Sequence, residues 1–312
     1  MTLLINVPDD PTGEFAAWIP VLHRLDPQRP VKLWPDTGPV EAVEYVLTWR
    51  PKPGDMHRYP NLKAIFNLGA GVDALLKDTT LPANVPLVRL VDEGLTQGMS
   101  EYVLMHVLRF HRRGPEFEES QRRSRWDPLL YPLARDRKVG ILGLGVLGSD
   151  AARKLAALDF DVAGWSRTPK SVPGVESFHG ADGLNPFLNR TEILVCLLPL
   201  TRETTGIVNA KTLAQLPKGA AIINAGRGGH VVQDDLLAAL DSGHIAYATL
   251  DVFTPEPLPN EHPFWTHPRV TVTPHVASLT QPETAALVVL EGIRRIERGE
   301  LPENVVDRRL GY

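Results

Sequence analysis

Short apolar runs recur along the chain, and polar stretches with a helical period separate many of them. The runs are TLLINV (2–7), AVEYVLTW (42–49), LKAIFNLG (62–69), VPLVRL (85–90), KVGILGLG (138–145), DVAGWSR (161–167), EILVCLLP (192–199), AAIINAG (220–226), YATLDVF (247–253) and RVTVTP (269–274). Their length and residue types predict strands. Helical patterns cover 99–113, 147–159 and 233–243, and a last one, PETAALVVLEGIRRIERG, covers 282–299. Strands alternating with helices predict parallel sheets flanked by helices, an α/β protein. The helix at 99–113 separates two groups of strands. Residues 106–281 are therefore expected to form one domain, and 1–105 with 282–312 the other. No short repeat and no low-complexity segment interrupts this pattern.

Composition agrees with that reading and narrows the partners. A chain of 312 residues suits two domains, and 43% hydrophobic with 22% charged residues suits a globular core. The formal net charge is -4, which gives no reason to expect nucleic acid or an anionic membrane as partner. The arginine-rich stretch 109–126 is interrupted by Glu116, Glu118 and Glu119 and reads as a solvated helix with a loop, a candidate subunit contact. The single cysteine, Cys196, lies in an apolar run and is expected to be a small core residue. The first ten residues lack the basic start and apolar stretch of a leader, with Asp9 and Asp10 arriving early. No run approaches the ~20 apolar residues of a membrane helix. The expected location is the cytoplasm.

The chemistry begins at KVGILGLGVLGSDAARKLAAL, where Gly143, Gly145 and Gly148 have G-x-G-x-x-G spacing. The motif follows a strand and opens a helix, the context in which it binds a dinucleotide. Gly143 would make the tight turn, Gly145 would admit a pyrophosphate to the backbone, and Gly148 would let helix and strand pack closely. The helix start adds unsatisfied donors for phosphate. The second strand of this domain ends in Ser166, Arg167 and Thr168, with Lys170 behind and no carboxylate in the group. An arginine there favours a 2′-phosphate, so NADP(H) is the preferred cofactor and NAD(H) the alternative, with Arg167 then stacking on adenine.

Three further segments end strands with reactive side chains. In INAGRGG, Arg227 follows the fourth strand of this domain among small residues, and its planar guanidinium suits a carboxylate with an adjacent carbonyl oxygen. LDVFTPEPLP carries Asp251 and Glu256, and VTPHVAS carries His275. Histidine can donate a proton to a ketone under reduction, and a neighbouring carboxylate favours its protonated form and holds the ring. Singly, each has a structural alternative: an arginine paired with a buried acid, a satisfied core histidine, a solvated loop glutamate. Their joint placement argues for a site. His262, His267 and His275 do not have the spacing of metal ligands, and no metal is expected.

Together these motifs, with NLGAGVD (67–73), resemble the D-isomer-specific 2-hydroxyacid dehydrogenases, and within them the glyoxylate/hydroxypyruvate reductase A group, over nearly the whole chain. The resemblance implies two Rossmann-like doubly wound domains, with the cofactor domain inserted into a flavodoxin-like substrate domain, a cleft between them, and a homodimer. It implies NADPH-dependent reduction of a small 2-oxo acid, with Arg227 binding carboxylate and carbonyl, His275 donating the proton and Glu256 as its partner. Ala70, Gly71 and Val72 would hold the carboxylate through their backbone, and Trp49 would close the pocket. Further cofactor contacts are expected at Val146, Leu147, Leu198, Pro199, Ala225, Gly226, Asp251 and His275. Many members carry Ala or Ser where this chain has Gly226, which is expected to loosen the backbone there. Glu256 argues against the related formate dehydrogenases, where glutamine stands. An NAD-dependent dehydrogenase of larger 2-hydroxy acids and a non-catalytic dinucleotide sensor remain the rival readings. Pocket size would turn on how Trp49, Leu75 and the loop near Trp265 pack.

Overall fold

The computed structural model describes residues 1–8, 10 and 13–312; Asp9, whose charge bears on the leader argument, lies outside the described residues. The chain divides into two compact units, Met1–Leu95 with Leu279–Tyr312, and Thr96–Ser278.

The first unit contains β1 (Thr2–Asn6), α1 (Trp18–Leu25), β2 (Val31–Leu33), β3 (Val43–Thr48), β4 (Ala64–Asn67), α2 (Asp73–Leu76) and β5 (Leu87–Arg89). Among the described residues its five strands are all parallel, in the order β2-β1-β3-β4-β5, the flavodoxin-like arrangement. Side chains alternate between two buried faces. Leu3, Ile5, Tyr45, Leu47 and Phe66 pack with Trp18 and Leu22 of α1 and with Ala286, Val289 and Ile293 of the C-terminal helix Pro282–Glu297. Leu4, Val46 and Ile65 pack on the other face with Met56, Tyr59 and Leu75. Burial on both faces explains why these strands read as continuous apolar runs.

The chain passes between the units within α3 (Glu93–His111). The second unit then adds α4 (Gly114–Arg122), β6 (Lys138–Leu142), α5 (Val146–Ala157), β7 (Asp161–Ser166), β8 (Val175–His179), α6 (Gly180–Arg190), β9 (Ile193–Cys196), α7 (Ala210–Leu213), β10 (Ala220–Asn224), α8 (Gln233–Asp241), β11 (Ile245–Leu250) and β12 (Val270–Val272). Its seven strands are parallel in the order β12-β11-β10-β9-β6-β7-β8. Strand order reverses between β6 and β9, so this is the doubly wound Rossmann arrangement with its switch point there. Leu142, Leu194 and Ile222 face one core, and Ile141, Val195 and Ile223 the other. Cys196 is fully buried in the first of these.

Two strands carry no apolar run and escape sequence reading: β2 and β8. Both are outer strands of their sheets. Their residues are half-buried or exposed, so the two-sided burial that writes an apolar run elsewhere is missing. The extra strand makes β10 the fifth strand of its unit in chain order, so Arg227 follows the fifth strand rather than the fourth. The arginine-rich stretch covers the end of α3, α4 and the turn after it, and Arg113, Arg122 and Arg123 in and beside α4 pair with Glu116 and Glu119. Among the described residues, no helix is long and apolar enough to cross a membrane.

Candidate active site

Because the second sheet is wholly parallel, the C-terminal ends of β6, β9, β10, β11 and β12 share one edge. The glycine loop after β6 meets the steric demands of its motif. Gly143 has φ 108°, and a Cβ there would lie 2.8 Å from the Leu197 carbonyl oxygen. A Cβ at Gly148 would lie 1.8 Å from the Gly143 oxygen, so helix and turn touch backbone to backbone. A Cβ at Gly145, by contrast, would meet nothing within 4 Å. That open space beside the start of α5, with Val146 and Leu147 following, fits a pyrophosphate against the backbone. After β7, Ser166 is buried and its hydroxyl donates to the Thr168 carbonyl at 2.8 Å, which shapes the turn. Arg167, Thr168 and Lys170 are exposed there. Arg167 lies in electrostatic reach of Glu203, whose carboxyl is held below its usual range by its own backbone amide, the Thr201 hydroxyl and the arginines.

Arg227 is held by its main chain. Its N–H donates to His230 Nδ1 at 3.0 Å, and its carbonyl accepts from Asn224 Nδ2 at 3.0 Å and the His230 amide at 3.1 Å. One guanidinium nitrogen, Nη1, donates to the Gly226 carbonyl at 2.8 Å. Gly228 lets the next loop come close: a Cβ there would sit 2.0 Å from the Phe253 carbonyl carbon. The loop carrying Glu256 thus packs directly on the loop carrying Arg227.

Glu256 and His275 are paired. Glu256 Oε1 accepts from the Phe253 amide at 2.9 Å, and Oε2 lies 3.0 Å from His275 Nδ1. With Nδ1–H donating to the carboxylate, Nε2 is the nitrogen left for acid–base chemistry. His275 has φ 56°, the left-handed region that non-glycine residues seldom occupy. Asp251 holds it there from beneath. The Asp251 carbonyl accepts from the His275 amide at 2.8 Å. Its Oδ1 accepts from the Thr273 hydroxyl at 2.6 Å and the Val276 amide at 2.9 Å, and Oδ2 from the Ala277 amide at 2.9 Å.

In the first unit, Asn67 ends β4 and its Nδ2 donates to the carbonyls of Gly69 at 2.8 Å and Gly71 at 3.0 Å. This fixes the turn with its carbonyls inward. Among the described residues no acceptor serves the Ala70, Gly71 and Val72 amides. The Trp49 ring lies on Gly69, where a Cβ would come within 2.6 Å of it, and the Arg50 guanidinium lies over the ring, 5.6 Å from its centroid. Leu75 is buried in the core, and Trp265 donates through Nε1 to the Pro259 carbonyl at 2.9 Å.

A family model describing the NAD binding domain of the D-isomer specific 2-hydroxyacid dehydrogenases matches residues 104–277. The chain belongs to this family. It is 47% identical over 300 residues to glyoxylate/hydroxypyruvate reductase A of Serratia proteamaculans, covering 95% of this chain and 96% of that protein. A D-isomer specific 2-hydroxyacid dehydrogenase from Xanthobacter autotrophicus Py2, solved with NADPH and MES, superposes with a TM-score of 0.95 at 48% identity, over 100% of this chain and 99% of that one. The NADPH-dependent glyoxylate/hydroxypyruvate reductase of Sinorhizobium meliloti, solved with NADP and sulfate, gives 0.93 at 42% identity, over 100% and 99%.

Within this member of the D-isomer specific 2-hydroxyacid dehydrogenases, the structure brings Arg227, Glu256, His275 and the glycine loop to one sheet edge. Leu198, Pro199, Ala225 and Gly226 lie in the loops of the same edge. Asp251, expected as a cofactor contact, has both oxygens committed to the His275 loop. Gly226 is not a loosened position. It is buried, and a Cβ there would lie 3.0 Å from the His230 ring and 3.2 Å from the Leu198 oxygen. His262 and His267 are engaged locally, with the Phe264 amide and with Asp241 and the Arg269 amide. Sequence reading passed over His230 and Asn67. A polar residue inside an apolar run was the available signal for Asn67; a histidine three residues after Arg227 gave none.

Proposed function

We propose that this chain is an NADPH-dependent reductase of small 2-oxo acids, converting glyoxylate to glycolate and hydroxypyruvate to D-glycerate. The observation that carries the reading is the His275–Glu256 pair, 3.0 Å apart, on the sheet edge that also bears Arg227 and the glycine loop. The names of the Serratia and Sinorhizobium relatives support the substrates, and the NADPH and NADP bound in solved relatives support the cofactor. Bound NADPH would supply a hydride to the carbonyl carbon. The chain's own residues do the rest. Arg227 binds carboxylate and carbonyl oxygen in one planar contact and stabilises the charge that develops on that oxygen. His275 delivers its proton from Nε2, while Glu256 fixes the ring through Nδ1 and stabilises the imidazolium before transfer.

In the same reading the second unit is the cofactor domain and the first the substrate domain. The amides of Ala70, Gly71 and Val72 receive the carboxylate, and Trp49, lying on Gly69, limits the substrate to a short chain. The cofactor lies along Gly143–Gly148, Leu198, Pro199, Ala225 and Gly226, with Ser166, Arg167 and Thr168 at the 2′-phosphate; NADH is the weaker alternative.

A homodimer is the proposed assembly. Trp126 is 98% and Leu130 91% exposed, with Met105, Phe117 and Leu133 also exposed on the same unit. Such apolar residues suit burial against a second copy. Sedimentation equilibrium would detect a monomer if this is wrong. The proposed compartment is the cytoplasm, which suits a single buried thiol.

Arg227→Ala tests the catalytic assignment. It should lower kcat/KM for glyoxylate by about three orders of magnitude, since orientation and charge stabilisation go together. Near-native turnover would overturn the reading.

A further inference from the structure

We propose that His230 is the positioning residue for Arg227, tying the loop that grips the substrate anion to the loop that lines the nicotinamide. The inference rests on the proposed role of Arg227. His230 is fully buried, at 0% exposure. Its Nδ1 accepts the Arg227 N–H at 3.0 Å, so that nitrogen carries no proton. The ring's proton is therefore on Nε2, which faces the Pro199 carbonyl at 3.3 Å, with the Cys196 side chain as a further hydrogen-bond partner of the ring. One ring thus joins the loop after β9 to the loop after β10.

The rest of the local structure converges on the same ring. The His230 amide also donates to the Arg227 carbonyl, and Asn224 Nδ2 reaches that carbonyl from the strand end. Both polar groups of the Arg227 peptide are held, and His230 contributes to each. The Pro199 carbonyl accepts as well from the Thr204 hydroxyl at 2.7 Å, so the far anchor is itself fixed. Gly226 leaves room for the imidazole to lie 3.0 Å from where a Cβ would stand. A guanidinium at the end of a long side chain inherits every displacement of its backbone, and the fit to a planar carboxylate tolerates little.

Variants of the full-length enzyme test this by restoring one bond at a time. His230→Ala removes the bonds to Arg227 and Pro199 together with the contact to Cys196. The side-chain oxygen of His230→Asn reaches the Nδ1 position and accepts from Arg227, whereas His230→Gln reaches the Nε2 position and serves Pro199. In His230→Ala we expect KM for glyoxylate and Ki for oxalate, a two-carbon carboxylate, to rise about tenfold. The Kd for NADPH should stay within about twofold, and His230→Asn should recover most of the loss while His230→Gln does not. Unchanged KM and Ki in His230→Ala overturn the proposal, as do equal losses in the Asn and Gln variants. Should the alanine variant not fold, the Asn-against-Gln comparison decides alone. If Arg227→Ala keeps its turnover the functional reading fails; if it collapses while His230→Ala binds oxalate normally, this inference alone fails.

Discussion

Asp251→Asn exchanges one oxygen for an amide nitrogen at the floor of the His275 loop. In the native chain both oxygens are in use: Oδ1 by the Thr273 hydroxyl and the Val276 amide, Oδ2 by the Ala277 amide. Asparagine can present its oxygen to one side. With Thr273 and Val276 still served, the new nitrogen meets the Ala277 N–H donor to donor. Asp251 is 1% exposed, so water does not take over the lost role. An orphaned buried donor costs about 1–3 kcal/mol, and the bond lost here is charge-assisted, so a loss at the upper end, about 3 kcal/mol, is expected. His275 depends on this loop to hold φ 56°, a conformation that reverts once its supports weaken. A ring displaced by ~1 Å lowers turnover about a hundredfold. We therefore expect a lower urea midpoint, kcat for NADPH oxidation with glyoxylate down about 10- to 100-fold, and faster amide exchange at Val276 and Ala277. Native kcat together with native exchange at both amides would refute the reasoning.

Other substitutions separate stability from binding. Gly145→Ala places a methyl in open space, so Tm should hold while the Kd for NADPH rises; Gly148→Ala drives a methyl into the Gly143 carbonyl and should lower Tm as well. Equal thermal stability of the two, by calorimetry, would contradict this. Arg167→Ala should raise KM for NADPH about tenfold and leave NADH kinetics unchanged, the value of one charge-assisted contact to the 2′-phosphate; a uniform change with both cofactors argues against that contact. Burial pushes His106 down from 6.5 to about 4, with Arg109 adding to the effect. The folded chain thus keeps His106 neutral where the unfolded chain binds a proton, so its contribution is complete above pH 6.5 and falls as pH drops toward 4. The loss is on the order of 3 kcal/mol, and urea unfolding across that window should show a shallower slope in His106→Gln. It does not vanish, because burial lowers His111 in the same sense. An unchanged slope would count against the assignment.

Much of this molecule is legible along the chain because its physics is local. A central parallel strand is buried on both faces and must be apolar throughout, so each one announces itself; β2 and β8, at the sheet edges, need not be and do not. The glycine motif is legible for the same reason, since Gly143, Gly145 and Gly148 answer to one turn and the helix that follows. Arg227, Glu256 and His275 stand out by residue type after strand ends. What surrounds them is another matter. That Gly228 exists to admit Phe253, that Asp251 supports the His275 loop, and that His230 joins Arg227 to Pro199 are contacts between loops far apart in sequence, brought together by the order β12-β11-β10-β9-β6. The sequence by itself determined the two-sided buried strands, the fold class and the reactive side chains, because burial and backbone geometry leave periodic marks. The tertiary structure alone decided which carboxylate meets which imidazole and what holds the arginine. Those depend on strand order, which no local pattern encodes.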